Sequence, residues 1–212
     1  MRGPSYWSSD WICDAHGAVL PLQPPKSPSN EGLKGALRDA RVPLWVQWPL
    51  PLGWLVTGFL DAGDDRTGSR ACAVALSGPA LLGGPADMLL VAEDLGAGLG
   101  AYLAGLGGPD PGAVFDASPP NAKAQIRGHP VPLWAVPDGP EDRAVYVGEA
   151  LGHWLWAVLW PSDAGLLMLE QLNLYDLRDS DIELDLPYGA ICPRLPSRHR
   201  PGRRIGEIGI GC

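Results

Sequence analysis

Apolar residues along this chain fall in short runs separated by turn formers. Leu55-Val56-Thr57-Gly58, Ala73-Val74-Ala75-Leu76 and Leu89-Leu90-Val91-Ala92 form one series, broken by the stretch from Asp61 to Gly68 and by Gly83-Gly84-Pro85. Runs of this length, rich in Val and Leu and bounded by Gly, Pro and Asp, predict β-strands. Links this short make neighbouring strands antiparallel. A second series follows in the same order: Val145-Tyr146-Val147-Gly148, Ala157-Val158-Leu159-Trp160 and Leu166-Leu167-Met168-Leu169, with Gly152 and Ser162-Asp163-Ala164-Gly165 between them. Each series is led by Val-Pro-Leu-Trp, at 42–45 and at 131–134. The spacing between copies changes only where turn residues lie, which is where insertions cost least.

The pattern therefore predicts an α+β fold: an antiparallel sheet built from two duplicated three-stranded meanders with a few short helices, the halves spanning about 42–106 and 131–177. Chance likeness of short apolar strings is the plain alternative, since strand-like runs look alike in any sheet protein. Helical spacing is sparser. Leu95, Leu99, Tyr102, Leu103 and Leu106 share a helix face despite several intervening glycines. Glu31 to Arg41 predicts a second helix, ending before Pro43 because the residue ahead of a proline is pushed out of the helical region. Asn121 to Arg127, after two prolines, predicts one or two more helical turns. The domain layout that follows is an arm and linker over 1–30, a single duplicated domain over 31–195 and a disordered basic tail over 196–212.

Composition supports a packed body. Gly 28 and Pro 23 in 212 residues are about twice ordinary usage, yet hydrophobic residues make up 46%, charged residues only 19%, and nine tryptophans are present. The net charge of −8 is uneven, because residues 194–212 carry five arginines against Glu207 alone. An acidic body repels phosphate, so nucleic acid is expected only at the tail, and the partner expected for the body is a protein or a small molecule. Four scattered cysteines without framework spacing, and a start without an apolar leader, point to a cytoplasmic protein. The uncharged stretch from Val42 to Leu60 contains Pro43, Pro49 and Pro51, which break helical geometry, so no membrane span is expected there.

Several groupings could carry chemistry. Cys13 and His16 stand three residues apart with Gly17 behind, the spacing of one arm of a zinc knuckle, but a structural zinc needs four ligands and no second arm exists. Trp11, Cys13, Asp14, His16-Gly17, Val19 and Pro21-Leu22-Gln23-Pro24, followed by Trp48-Pro49-Leu50-Pro51, Gly53-Trp54 and Gly63-Asp64-Asp65-Arg66, resemble an actinobacterial domain-of-unknown-function family over most of the chain up to about Leu195. The resemblance implies an N-terminal zinc-ribbon-like segment whose first C-x-x-C arm is missing here, so that Cys13 and His16 are the vestige of a metal site and no cofactor is expected.

Gly96-Ala97-Gly98-Leu99-Gly100-Ala101 follows a strand, opens a helix and has Asp116 twenty residues on, as in dinucleotide-binding loops. Glu93 and Asp94 stand where a pyrophosphate would sit, and a run of antiparallel strands is foreign to that fold. A glycine-rich helix packed closely on the sheet is the simpler reading. Asp64, Asp65 and Arg66 mark a polar hairpin end, most simply a turn.

Trp154, Trp156 and Trp160 share one strand face, while Trp45, Trp48 and Trp54 lie in the proline-rich lead of the first copy. They read as core, or as an aromatic groove that receives a ligand. The function expected on these grounds is a non-catalytic binding or regulatory module with a Trp-rich cleft. The alternative is an enzyme acting on a small acidic or phosphorylated metabolite, with Asp64, Asp65, Arg66 and Arg143 converging in one pocket.

Overall fold

The computed structural model describes residues 2–3, 6, 11–14, 17–112, 115, 118–137, 139–179 and 184–196. The tail from 197 onward, His16 and Asp116 lie outside the described residues. Among the described residues eleven strands are formed: β1 Trp11–Cys13, β2 Gly17–Val19, β3 Trp45–Gln47, β4 Leu55–Asp64, β5 Gly68–Pro79, β6 Pro85–Glu93, β7 Ala122–Ile126, β8 His129–Ala135, β9 Ala144–Ala150, β10 His153–Trp160 and β11 Leu172–Asp176. Two α-helices, α1 Asn30–Asp39 and α2 Leu99–Ala104, and a 3-10 segment over Ser162–Leu169 are the helical elements among the described residues.

Strands β1 and β2 pair as a small ribbon, and the other nine form one sheet in the order β3-β11-β7-β8-β9-β10-β6-β5-β4. The expected first meander is present as β4, β5 and β6, joined through registers such as Phe59 opposite Val74 and Val74 opposite Leu90. The sheet is mixed rather than antiparallel, because β11 runs parallel to β7, with Leu172 opposite Ala124 and Leu174 opposite Ile126. Beyond it, β3 packs back on β5 and β6, so the sheet curls around its concave face.

The second series departs from the expected meander at two points. Leu166 to Leu169 is not a strand but lies in the 3-10 segment, and Ala164, Leu167 and Met168 plug the concave core. Leu and Met, which are not branched at Cβ, favour helical turns over extended chain after a Pro-Ser-Asp start. Asn121 to Arg127 is the reverse case. The helix expected there is strand β7, with Ala122, Ala124 and Ile126 facing the core and Lys123 and Gln125 turned outward. That alternation is the signature of a half-buried strand. The second series therefore does not form the expected three-stranded meander, and in the nine-stranded sheet β10 pairs with β6 at the centre.

Two hydrophobic layers lie on opposite faces of the central strands. On the concave side sit Cys72, Val74, Leu76, Met88, Leu90, Leu155 and Leu159. Ala71, Ala73, Leu89, Val91, Trp156, Val158 and Trp160 line the convex side under α2 and both terminal segments. Strands buried on both faces lose polar alternation, which is why the central runs read as continuously apolar. The helix expected over Glu31 to Arg41 is α1, whose N-cap Ser29 accepts from the Gly32 N–H at 3.1 Å. The segment expected as a linker runs against the outer edge of β4, with Gln23 N bonded to Asp61 O and Lys26 N to Phe59 O. Residues 187–192 cover the other end of that edge, through Val56 N to Pro187 O and Cys192 N to Thr57 O. An edge strand covered in this way offers no open ladder to another chain. No helix among the described residues is long and apolar enough to cross a membrane.

Candidate functional site

Covering the β4 edge brings Lys26 over the β4–β5 hairpin and fixes a buried polar triad there. The Lys26 ammonium meets the Asp61 carboxylate at Oδ1, and the Ser69 hydroxyl donates to Asp61 Oδ2 at 2.7 Å. Asp61 is 3% exposed, so without these two partners its charge would be costly to hold. At the hairpin tip Asp64 folds the turn around itself. Its Oδ1 accepts from the Thr67 N–H at 2.9 Å, the Thr67 hydroxyl at 2.9 Å and the Arg66 N–H at 3.1 Å, while Oδ2 accepts from Trp11 Nε1 at 3.0 Å. Partial burial works against ionisation of Asp64, but the bonds from Thr67, Trp11 and Arg66 outweigh it and hold the carboxyl below its ordinary range.

Above the triad lies a pocket of about 490 Å³ lined by Lys26, Arg38, Arg41, Asp61, Asp64 and Asp65, among others. Arg38 closes the last turn of α1, and Arg41 follows it, with its backbone N–H bonded to Ser69 O. Among the described residues neither guanidinium reaches a carboxylate, in contrast to the arginines at 2, 70, 127, 143, 178 and 194. Asp39 and Asp65 likewise face the pocket outside any ion pair. The pocket thus has committed charges on its floor and uncommitted charges of both signs around it.

The residues expected for an acidic-ligand site separate into two places. Asp64 and Asp65 line the pocket and Arg66 stands exposed on the same turn. Arg143 is elsewhere. Its Nη1 donates to Leu103 O at 2.8 Å, its Nε meets Asp142 at 2.7 Å, and its guanidinium lies 5.0 Å from the Trp160 ring centre. The register sets the distance, because Ala144 is level with Leu159 whereas the hairpin lies beyond the row of Ala71, Glu93 and Trp154. Trp154 and Trp160 are six residue steps apart along β10, roughly 20 Å.

The tryptophans also divide. Trp45, Trp54 and the half-buried Trp48 pack in the concave layer, while Trp156, Trp160 and the half-buried Trp154 belong to the convex layer. Trp45, Trp54, Trp156 and Trp160 are at most 3% exposed. Trp154 Nε1 donates to Asp110 at 3.1 Å, and Trp45 borders a separate opening of about 500 Å³ beside Gln125, Asn173 and Tyr175.

Glu93 fills the position where the glycine-rich loop would hold a phosphate. Its Oε2 accepts from Leu99 N at 2.5 Å and Gly100 N at 3.1 Å, so the first turn of α2 is capped by the chain itself. Gly100 is required by contact rather than by ligand binding, since a Cβ there would lie 2.2 Å from the Trp156 ring. Cys13 ends β1 and is buried. No group of three or more His, Cys, Asp or Glu that could hold a metal ion is found among the described residues, which do not include His16.

Lys26, Arg38 and Arg41 were not singled out by the sequence reading. Each is an isolated cation in a different element. The available signal was their spacing around a capped helix start, Ser29 and Glu31, which fixes α1 and sets Arg38 and Arg41 at its far end.

A sheet-rich α+β body with a charged pocket at one hairpin is the class that fold and site define. The chain belongs to DUF6758, a family of unknown function whose model matches residues 1–195. No curated protein and no solved structure matches it.

Proposed function

We propose that this protein is a binding or regulatory module that takes a small acidic or phosphorylated metabolite in the hairpin pocket, with the tryptophans serving as scaffold. The observation that carries this reading is the pair of uncommitted guanidiniums, Arg38 and Arg41, facing the aspartate hairpin across about 490 Å³. Planar guanidiniums recognise phosphate and carboxylate through paired N–H donors, which a lone lysine does less well. Uncommitted Asp65 on the opposite side supports a ligand that also bears an amine. O-phosphoserine has both groups and inorganic phosphate has one.

Titration calorimetry with these two probes tests the reading. Wild type is expected to bind both. The double variant R38A/R41A is expected to lose at least tenfold in affinity for each, and Asp65→Asn to weaken O-phosphoserine alone. Absence of binding by both probes, or equal affinity in the double variant, overturns the assignment.

An aromatic cleft is the second reading. The observation in its favour is Trp45 at the opening beside Tyr175.

A further inference from the structure

Helix α2 is a short plate held at both ends. Its C-terminal end closes on Gly105, with Gly105 N bonded to Tyr102 O at 3.1 Å and Leu106 N to Ala101 O at 2.9 Å, and Arg143 fastens Leu103 O. Its N-terminal end begins on Gly98 in the left-handed region and has no side-chain cap of its own. What holds that end is Glu93, reaching up from the last position of β6. Outside α2 runs a groove of about 480 Å³ between Ala18 and Val19 of β2 and the segments 96–98 and 105–109. Residues 96–98, just before that end of the helix, form part of the groove wall.

That attachment is unusual chemically. Glu93 has no measurable exposure, and among the described residues no cation pairs with it. Its Oε1 makes no hydrogen bond, and the nearby Trp156 indole N–H forms no well-shaped bond to it. Charged groups do face it from the neighbouring elements. Asp110, in the loop after α2, accepts from Gly96 N and Trp154 Nε1. Asp94 is tied to Arg70 of β5 at 2.8 Å and to His153 of β10 at 3.1 Å, which leaves Asp110 as the acid that repels Glu93.

We propose that Glu93 is a proton-operated latch: protonated, it stays under the first turn of α2, and on losing its proton it favours a local opening that lifts residues 97–101 off the sheet and so moves the groove wall that residues 96–98 form. The physical cause is that a carboxylate with two amide donors and no cation is poorly solvated in the closed state, whereas in the open state water solvates it. Burial pushes the closed-state carboxyl up to about 7, against the pull of the Gly100 and Leu99 N–H groups, while a water-exposed glutamate titrates near 4.5. The open fraction then rises about 300-fold in all, from its floor well below pH 4.5 to its plateau well above pH 7.

Native-state hydrogen exchange tests the latch, reading the Leu99 and Gly100 amides from pH 4 to pH 8 after correction for intrinsic exchange. The expected result is exchange that does not depend on low denaturant, with protection falling by two to three orders of magnitude across that range. In Glu93→Gln the fall is expected to vanish. Because that variant could fold poorly, a carbon NMR titration of the Glu93 carboxyl in wild type is the second reading, with a midpoint well above that of an exposed glutamate expected. Three results overturn the proposal: Leu99 and Gly100 exchanging with the same denaturant dependence as core amides such as Val74 and Ala157, protection independent of pH, or a midpoint near 4.5.

Discussion

Asp61 and Glu93 occupy successive rows at the same end of the sheet, yet they are solvated in opposite ways. Asp61 lies level with Cys72 and Ala92, and Glu93 with Ala71 and Trp154, so one carboxyl points to the concave face and the other to the convex face. Both are almost wholly buried. Asp61 meets an ammonium and a hydroxyl, whereas Glu93 meets only backbone N–H groups. A buried carboxylate with a cation remains a charge and can organise a polar pocket around itself. One without a cation is driven toward its neutral form and titrates near neutrality.

Breaking the first arrangement should have the largest effect. Lys26→Ala leaves Asp61 buried and unpaired, and urea unfolding is expected to show a loss of about 3 kcal/mol. Replacing both residues, as in K26M/D61L, should recover most of that loss, because an apolar pair removes the stranded charge. If the single and double variants lose equally, the pair is not the source of the effect.

Glu93 should come next, and its sign is opposite to that of an ordinary acid. Its folded-state pKa lies above the unfolded one, so between about pH 4.5 and 7 the native protein keeps a proton that the unfolded chain gives up. Stability from this group is complete below pH 4.5 and falls as pH rises to 7, by up to about 3 kcal/mol. The stability of wild type minus that of E93Q, measured by denaturant unfolding across this window, isolates the trend. Asp64 and Asp176 act the other way, since their lowered pKa values mean that stability is lost as pH falls through the acid range. A difference curve that rises with pH would contradict the account of Glu93.

Ser69→Ala should have the smallest effect, about 1 kcal/mol. It removes one hydrogen bond to Asp61 but leaves the cation in place. A loss as large as that of Lys26→Ala would mean that the hydroxyl, not the ammonium, sustains the buried charge.

Much of this architecture could be read from the residue pattern, and the failures have identifiable causes. Strands β4, β5 and β6 were legible because each is bounded by Gly, Pro or Asp and linked by a short turn. Helix α1 was legible from its polar start and from Pro43 beyond its end. Strand β7 was missed because Asn121 after two prolines looks like a helix start, although Ala122, Ala124 and Ile126 already alternate. The parallel pairing of β7 with β11 has no local signature, since it joins Ala124 to Leu172 across the whole β8–β10 stretch. At the pocket, Asp64 and Asp65 announced a turn, but the cations opposite them come from the segment before α1 and from its far end. Only the folding of 21–26 along β4 brings the two walls together. Even spacing placed Trp154, Trp156 and Trp160 on one face, and spacing alone could not say that α2 covers that face.

The contrast between the two carboxylates also supplies the most direct test of the pocket as the binding site. Amide NMR spectra recorded during titration with O-phosphoserine should show shifts at Ser69 and at Arg38 and Arg41, with Leu99 and Gly100 unmoved at constant pH. Shifts concentrated at Leu99 and Gly100, with the hairpin silent, would mean that the ligand enters beneath α2 and that the hairpin pocket is not where this protein binds.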